Sequence, residues 1–417
     1  MEKSKEKDKL ENQNFNWQVL VIITLGGIVA GLFRNGIMTL LPFIQEEFEL
    51  SRTQVGLYST FLYFSSTLFA VFTGKIADYW GVKRSMFWGL LLMGLFILMH
   101  SFAPGYLSIM IYATLTGLGL SIILPASSKS ITEWFSGKNH STLMGIMTLG
   151  LPLGGIIGAV FLPWLGKLYG WRMGTIIMGG LFFLSALLFR FYYIDKTSES
   201  KNTSKSKKNI FAIFKEISLI LNNKYILTLC FLGLFFGISS GVIVTHFTIF
   251  LVTEYNLSKI MAGIGFMFLQ IGSMVGRPLW GILNDKLLND IKRRGFLFIG
   301  LIISFASFSL YLLKDVSFLL TFVLIMAFLL GGTGRGWHGI YFSSISSQVG
   351  KDDAGLATGL SLFFIRMGIL SGPPIFGFIA DVYDSYRYSW LFLGVVSLII
   401  ITISYYFLTK FEDLYQK

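Results

Sequence analysis

The sequence has little cysteine and little charge, and it has no Walker motif and no metal-ligand spacing. Its single cysteine, Cys230, excludes an intrachain disulfide and any cysteine-based metal site. Charged residues make up 13% of the chain, far below the roughly 25% of soluble domains, which excludes an ordinary soluble protein. The sequence contains neither a Walker motif nor a metal-ligand spacing, so we expect no cofactor and no ATP-driven chemistry within this chain.

Long apolar stretches take the place of charge. Of the 417 residues, 54% are hydrophobic, and the mean hydropathy is +0.68. A helix needs about 20 residues to cross a hydrocarbon core of about 30 Å. We therefore predict an all-α integral membrane protein with twelve transmembrane helices. They are expected near residues 20–43, 55–73, 86–103, 107–127, 143–165, 174–194, 225–252, 260–283, 295–313, 317–346, 355–380 and 388–409.

The net charge of +12 does not indicate nucleic acid, because the basic residues are not clustered on a soluble domain. Positively charged loops stay on the cytoplasmic side of a membrane, so we expect the basic linker after the sixth span, and both termini, in the cytoplasm. Residues 1–14 contain no apolar core and no cleavage site, so we expect no removable signal peptide. We predict a monomeric multi-pass protein of the cell (inner) membrane. The linker lysines are Lys196, Lys201, Lys205, Lys207, Lys208 and Lys215.

The chain carries an internal repeat. Phe48–Gly56 reads F-E-L-S-R-T-Q-V-G, and 207 residues later Tyr255–Gly263 reads Y-N-L-S-K-I-M-A-G. A second register, at an offset of 214, pairs Gly154 with Gly368. Such repeats are typical of carriers built from two related bundles, with the substrate bound between them near the midplane. We predict two six-helix bundles, residues 1–194 and 225–417, joined by the cytoplasmic linker 195–224.

A loop after the second span carries a family resemblance. The run G-K-I-A-D-Y-W-G-V-K-R at Gly74–Arg84 resembles the signature loop of the major facilitator superfamily, and Gly281–Lys286 resembles its weaker copy. The resemblance implies the major facilitator fold and a loop that closes the cytoplasmic side in the outward-facing state. An acid at a helix end can accept hydrogen bonds from orphan N–H groups, whereas the basic residues alone would only fix topology. The candidate gating residues are Asp78, Lys83, Arg84, Asp285 and Lys286.

Three arginines, Arg34, Arg277 and Arg366, lie deep inside the apolar runs, and no Asp or Glu lies at matching depth. A guanidinium in the bilayer costs at least a few kcal/mol, so it normally faces a polar cavity and a partner. We expect the negative partner to be a ligand. Two parallel N–H donors of a guanidinium meet both oxygens of a carboxylate, so the arginines predict a site for a small mono- or dicarboxylate. The alternative at each position is a structural or gating arginine.

Each arginine also has a family resemblance. Arg34-Asn35 resembles the first helix of organophosphate antiporters and of anion:cation symporters, where an arginine in that place binds the anion. The second arginine of the organophosphate antiporters has no counterpart here. The stretch around Arg277 resembles the eighth helix of monocarboxylate transporters, although Ser273 stands where they carry an aspartate that joins in proton coupling. Arg366 is similar in position to a lysine of oxalate/formate antiporters.

Other polar residues in the spans are weaker candidates. His246 titrates near neutral pH if unperturbed, and it either carries a coupling proton or is a neutral hydrogen-bonding wall residue. Asn35 and Gln270 are candidate polar lining. Arg335 and His338 lie in the run G-G-T-G-R-G-W-H-G, which allows close helix packing or local unwinding. They form a secondary candidate site.

Two enzyme-like motifs do not fit their surroundings. Gly237–Gly241 matches G-x-S-x-G, but that motif needs a strand-to-helix turn, and here it lies in a helical run. Gly334–Gly339 matches G-x-G-x-x-G without the strand that precedes a dinucleotide site. We therefore predict that the chain is not an enzyme.

We interpret the chain as a secondary active transporter that moves a small organic anion by alternating access. Arg34 and Arg366 would bind the carboxylate, and Arg277 would add charge or gate the exit. Proton symport and anion exchange are both left open, so protons or a counter-anion are expected partners. A drug/proton antiporter is one alternative, since Gly150–Gly155 is a distorted form of that group's glycine-proline motif, but the membrane acids expected for cation handling are missing. A non-transporting sensor of the same anion is the other, although we expect no signalling domain in the short linker and tail.

Overall fold

The computed structural model describes residues 2–135, 140–195, 222–288, 291–313, 319–348 and 354–415, and the regular elements within these ranges are helical. Helices are the expected outcome for apolar runs in lipid, because a helix satisfies its own backbone N–H and C=O groups. A short 3-10 turn, Gly36–Thr39, joins the first two helices. The helices are α1 (Glu2–Arg34), α2 (Leu41–Phe48), α3 (Arg52–His100), α4 (Tyr106–Trp134), α5 (His140–Tyr169), α6 (Trp171–Tyr192), α7 (Lys224–Tyr255), α8 (Lys259–Lys286), α9 (Lys292–Leu312), α10 (Leu319–Gly334), α11 (His338–Gln348), α12 (Ala354–Val382) and α13 (Tyr386–Tyr415).

The helices agree with the spans expected from the sequence. Eleven stretches of the described residues are long and apolar enough to cross a membrane, and each overlaps one of the twelve expected spans. The remaining expected span, 55–73, is helical and forms the first part of α3. α3 therefore joins the second and third expected spans, with a corner at Gly81, where φ is +79°. Glycine adopts this φ without the strain that a β-carbon would cause, so the corner depends on that residue.

The chain divides into two compact units. The first unit contains Met1–Phe48 and Phe61–Lys201, and the second contains Glu49–Thr60 and Asn202–Lys417. The first turns of α3 therefore belong to the second unit, although the rest of the helix belongs to the first. Residues 196–221 of the predicted linker, including its six lysines, lie outside the described residues, and the predicted domain boundaries stay a prediction.

Glycines bring helices together in the same way within each unit. In the first unit, a β-carbon on Gly154 of α5 would overlap the carbonyl oxygen of Ile28 on α1. In the second unit, a β-carbon on Gly368 of α12 would overlap the carbonyl oxygen of Leu234 on α7. Small residues at such positions let helix backbones approach closely in lipid. The pairing of Gly154 with Gly368 in the sequence repeat thus corresponds to a repeated helix contact.

The second unit contains an interrupted span. α10 and α11 together form the candidate span Leu320–Ile345, and the helix is broken at residues 335–337. α8 packs on α10 beside this break, where a β-carbon on Gly276 would overlap the carbonyl oxygen of Gly332. Trp280 of α8 donates its Nε1–H to the same carbonyl at 2.8 Å. The tryptophan therefore satisfies an acceptor that an uninterrupted helix would pair internally.

Candidate functional site

Arg34 is the last residue of α1, and it lies half-buried inside the candidate span Trp17–Thr39 of the first unit. Its Nε donates to the hydroxyl oxygen of Tyr63 on α3 at 3.2 Å, and its Cζ lies 5.3 Å from the centre of the Tyr63 ring. The tyrosine thus holds the guanidinium by a hydrogen bond and by cation–π attraction. It uses one of the five N–H donors and leaves the positive charge in place. An arginine positioned in this way can bind a carboxylate.

The end of α1 is fixed by Asn35. This residue is buried, and its Nδ2 donates to the carbonyl oxygen of Leu151 on α5 at 3.3 Å. Gly31, one helical turn earlier, leaves room for that carbonyl, which a β-carbon would overlap. The contact anchors α1 to α5 immediately beside Arg34. The predicted role of Asn35 as lining stays a prediction, and its amide has at least this structural role.

The break between α10 and α11 holds Arg335. Arg335 is 8% exposed, and its Nη1 donates to Oε1 of the fully buried Gln270 on α8 at 2.7 Å. Trp337 donates Nε1–H to the carbonyl of Gly334 at 3.0 Å, and His338 donates Nδ1–H to the carbonyl of Arg335 at 3.1 Å. The Trp337 and His338 rings stack at 3.9 Å. The structure thus brings Gln270 into contact with Arg335, and Arg335 into contact with His338.

A polar stripe runs along α8 at this place. Gln270, Ser273 and Arg277 follow one another at helical spacing, which places them on one face. Gln270 and Ser273 are fully buried, and Arg277 is half-buried. Among the described residues, neither Nε2 of Gln270 nor Oγ of Ser273 has a hydrogen-bond partner. A buried polar atom without a partner costs about 1–3 kcal/mol, so the stripe marks a place for a further polar group.

Arg366, the third candidate arginine, lies half-buried on α12 of the second unit. It follows Ile365, whose carbonyl oxygen a β-carbon on Gly237 of α7 would overlap. The helix that carries Arg366 therefore packs tightly on α7. The predicted roles of Arg277 and Arg366 in binding stay predictions.

His246 is fully buried on α7, and both of its ring nitrogens are engaged. Nε2 lies 2.8 Å from the carbonyl oxygen of Pro373, and Nδ1 lies 3.2 Å from the hydroxyl of Tyr386. A carbonyl only accepts, so Nε2 carries the proton and Nδ1 of the neutral ring accepts from the tyrosine. Protonation of Nδ1 would reverse that second bond, with the tyrosine oxygen accepting, and would place a positive charge in a fully buried position. The geometry fits the neutral wall residue better than the proton carrier, although the coupling role itself stays a prediction.

The signature loop forms the corner of α3 in the first unit. Asp78 is exposed, and its carboxylate lies 3.5 Å from Nζ of Lys129 on α4. The backbone N–H of Lys83 donates to Oδ1 of Asp195 at 2.9 Å, and Arg84 is exposed. Lys129 and Asp195 hold the corner from two sides. Sequence reasoning missed both because they lie outside the signature run, on other helix ends.

The copy of this loop at the end of α8 is arranged differently. Asp285 and Lys286 are both exposed. On α9, Lys292 donates from Nζ to the carbonyl of Ser343 at 3.3 Å and to the hydroxyl of Ser347 at 3.2 Å. The gating roles of all five candidate residues stay predictions.

A network that sequence reasoning missed joins the start of α3 to the end of α12 within the second unit. Asp381 accepts from the backbone N–H of Arg52 and of Thr53 at 2.8 Å each, and from the Thr53 hydroxyl at 2.5 Å. Arg52 in return donates from Nη1 to the carbonyl of Ala380 at 3.0 Å and to Oδ1 of Asp384 at 2.8 Å. A carboxylate thus lies at a helix N-terminus and a guanidinium at a helix C-terminus, the arrangement that helix dipoles favour.

Comparison with known proteins agrees with this architecture. Residues 23–365 match the family model of the Major Facilitator Superfamily. The hexuronate transporter of Bacillus subtilis is 24% identical over 402 residues, which are 93% of this chain and 92% of that protein. A probable nitrate transporter of Staphylococcus epidermidis is 25% identical over 379 residues, 89% of this chain and 92% of that protein.

Among solved structures, a bacterial homolog of the human lysosomal transporter Spinster has a TM-score of 0.78 at 16% identity, covering 96% of this chain and 97% of that chain. At this identity the likeness shows the fold alone. It confirms the predicted all-α membrane architecture.

Proposed function

Because the chain belongs to the major facilitator superfamily, we propose that it is a secondary transporter of a small organic anion of the hexuronate type. Membership of this superfamily makes the chain a multi-pass membrane transporter and confirms the prediction that it is not an enzyme. A hexuronate is a six-carbon sugar acid, with one carboxylate and several hydroxyl groups. The proposal therefore narrows the predicted mono- or dicarboxylate to a hydroxylated monocarboxylate.

The observation that carries this proposal is the arginine of α1 held by a tyrosine. Arg34 lies within a membrane span, and Tyr63 orients it without removing its charge. A carboxylate is the natural partner of a planar guanidinium, because two N–H donors meet two oxygens. The similarity to a hexuronate transporter along nearly the whole chain supports the same class of substrate.

A neutral polar group beside Arg34 supports a substrate that also carries hydroxyls. The hydroxyl oxygen of Tyr63 accepts from Arg34, and its O–H group can itself donate. Sugar hydroxyls both donate and accept, so such side chains suit them, and sites built on hydrogen bonds discriminate strongly against ligands that lack those groups.

Nitrate is the second candidate substrate. The identity to a probable nitrate transporter is 25% over 379 residues, against 24% over 402 residues for the hexuronate transporter, and nitrate is also a planar anion that a guanidinium binds. Nitrate oxygens accept hydrogen bonds, but nitrate has no hydroxyl group with which to donate one to a neutral side chain such as Tyr63. We rank it below a sugar acid for this reason.

We propose transport by alternating access, with Asp78 and Lys129 at the corner of α3 as part of the gating loop. The engaged nitrogens of His246 favour a mechanism in which this histidine stays neutral and does not carry the coupling proton. Anion exchange then needs no protein proton site, and proton symport would use the protonation of the substrate itself. We also propose the cell (inner) membrane as the location, with both termini in the cytoplasm.

Uptake by purified protein in proteoliposomes tests the proposed substrate class. Labelled glucuronate and labelled nitrate are supplied separately, and unlabelled galacturonate and glucose are added as competitors. We expect glucuronate uptake that galacturonate inhibits and that glucose, the uncharged analogue, does not. Uptake of nitrate alone would select the second candidate, and uptake of neither anion would refute the proposal.

A further inference from the structure

The break between α10 and α11 satisfies freed carbonyl groups from within the protein. The carbonyl of Gly332 accepts from Trp280, and that of Gly334 accepts from Trp337. Because these carbonyl groups already accept hydrogen bonds, the groups of the break that could bind a ligand are hydrogen-bond donors. These are the guanidinium of Arg335 and the N–H groups in the first turn of α11, where the helix dipole is positive.

Gln270 adds two N–H donors to the same place. Arginine has no acceptor, so the amide atom that faces Nη1 of Arg335 at 2.7 Å must be the oxygen. Nε2 then directs both hydrogens elsewhere, and it is fully buried without a partner among the described residues. Since the two atoms share one carbon at ordinary bond lengths, Nε2 lies within about 5 Å of the guanidinium nitrogen.

Ser273 adds a hydroxyl one turn further along α8. Its Oγ is fully buried and, within the described residues, has no hydrogen-bond partner. Residues three apart on a helix have β-carbons about 5–6 Å apart, so Ser273 and Gln270 lie on the same face of α8. The sequence has no Asp or Glu between Lys259 and Asn284, so this stretch of α8 brings donors and no carboxylate to the cluster.

We propose that Arg335, Gln270 and Ser273, with the N-terminus of α11, form a binding site for one small anion inside the second unit. Its ligand is a carboxylate or a halide, because both accept N–H and O–H donors and both are favoured at a helix N-terminus. The residues that define this site all belong to the second unit, whereas Arg34 belongs to the first. The site therefore does not depend on the proposed substrate, and an anion bound there would hold the interrupted span in one conformation.

Thermal unfolding of the purified full-length protein in detergent tests this site. Sodium is held constant while chloride, bromide or glucuronate replaces a bulky sulfonate anion, since a ligand of the folded state raises the unfolding midpoint as its concentration rises. Gln270→Glu keeps the acceptor for Arg335 but replaces two donors with a negative charge. We expect it to lower the anion affinity at least about tenfold. Ser273→Ala removes one donor and should lower the affinity about three- to tenfold, which keeps the test valid if the first variant does not fold.

Two controls separate the site from other effects. Ser307 on α9 is also fully buried, and its hydroxyl has no partner among the described residues, so Ser307→Ala should leave the anion response unchanged. Arg34→Gln should abolish glucuronate uptake and keep the response of the second-unit site. A response to halides identifies a resident inorganic ion, and a response to glucuronate alone identifies a carboxylate site.

Three results would overturn the proposal. The first is a wild-type midpoint that no anion raises, which would mean that the buried donors hold water only. The second is a full response in both Gln270→Glu and Ser273→Ala. The third is a response that Arg34→Gln removes for every anion, which would place all binding in the first unit while leaving the proposed transport function intact.

Discussion

Asp381 should stabilise the second unit more than its sequence neighbour Asp384 does, although both carboxylates belong to one network. Asp381 accepts three hydrogen bonds at the N-terminus of α3, two from the backbone N–H groups of Arg52 and Thr53 and one from the Thr53 hydroxyl. Asp384 pairs with Arg52 through a side chain that is 93% exposed. Water and salt weaken the second interaction far more than the first.

The size of the effect follows from the atoms that asparagine cannot replace. In Asp381→Asn the single amide oxygen can accept from only one of the two backbone N–H groups, those of Arg52 and Thr53. The NH₂ group then faces the other backbone N–H, and two donors cannot bond to each other. Loss of a capping interaction costs about 0.5–2 kcal/mol, and loss of the negative charge at the helix N-terminus adds about 0.3–1 kcal/mol. We therefore expect Asp381→Asn to cost about 2 kcal/mol, and Asp384→Asn to cost little that can be measured.

The assay is thermal unfolding of both variants in the same detergent at one heating rate. Membrane proteins often unfold irreversibly, so unfolding midpoints can be compared only between scans run under identical conditions. The midpoint of Asp381→Asn should fall clearly below that of wild type, and that of Asp384→Asn should not. Equal midpoints for the two variants, at low and at high salt, would refute the assignment of Asp381 as the cap of α3.

Three further predictions concern the first unit. Arg34→Lys should weaken carboxylate binding by about 1–3 kcal/mol, roughly ten- to a hundredfold, because a point charge does not reproduce a bidentate donor; unchanged affinity in an equilibrium binding assay would contradict this. Asp78→Asn should slow uptake and leave equilibrium binding nearly intact, because the carboxylate lies at the corner of α3, and loss of binding in a folded variant would show that it has another role. Burial raises the pKa of Glu47, but hydrogen bonds from Arg172 and Trp171 and the charge of Arg172 lower it more, so the net pKa is below its usual value. The stability from this pair is present above the usual glutamate pKa of about 4.3 and is lost as the pH falls through the lowered value. As the pH falls from about 5 to about 3, the unfolding midpoint of wild type should therefore drop slightly more than that of Glu47→Gln. The difference in stability should be about a few tenths of a kcal/mol, because Glu47 is 38% exposed and solvent screens the pair. An equal drop in both proteins would mean that the pair contributes nothing to stability.

The helices could be predicted from the sequence because the membrane leaves so few alternatives. Long apolar runs in lipid must be helical, so run length gave the positions of the spans without any knowledge of tertiary contacts. The glycine-rich run at residues 331–339 predicted close packing or local unwinding. The structure has both, with Gly276 against the carbonyl of Gly332 and a break at residues 335–337.

The partners of the candidate residues could not be predicted in the same way. Tyr63 lies 29 residues from Arg34, and Asp381 lies 329 residues from the Arg52 backbone that it caps. Such contacts depend on the rotation of each helix about its axis, which a uniformly apolar helix does not reveal through periodicity. One local signal was overlooked: Ser51 and Gln54 form a capping box, with hydrogen bonds of 2.8 and 3.2 Å, at the start of α3.

His246 shows the same limit for a single residue. Its sequence context allowed either a proton carrier or a neutral wall residue, because the residue type alone sets only its usual titration range. The distances to Pro373 and Tyr386 favour the neutral wall residue. Both contacts come from helices more than a hundred residues away in sequence, so no local motif could have indicated them.

The most direct test of anion transport through Arg34 is the initial rate of labelled glucuronate uptake into proteoliposomes that contain equal amounts of folded wild-type protein or Arg34→Gln. Tyr63→Phe serves as the matched variant, since it removes only the hydroxyl that accepts from Arg34. We predict saturable uptake by wild type, uptake near the protein-free level by Arg34→Gln, and an intermediate rate for Tyr63→Phe. Uptake by Arg34→Gln at the wild-type rate would contradict the account.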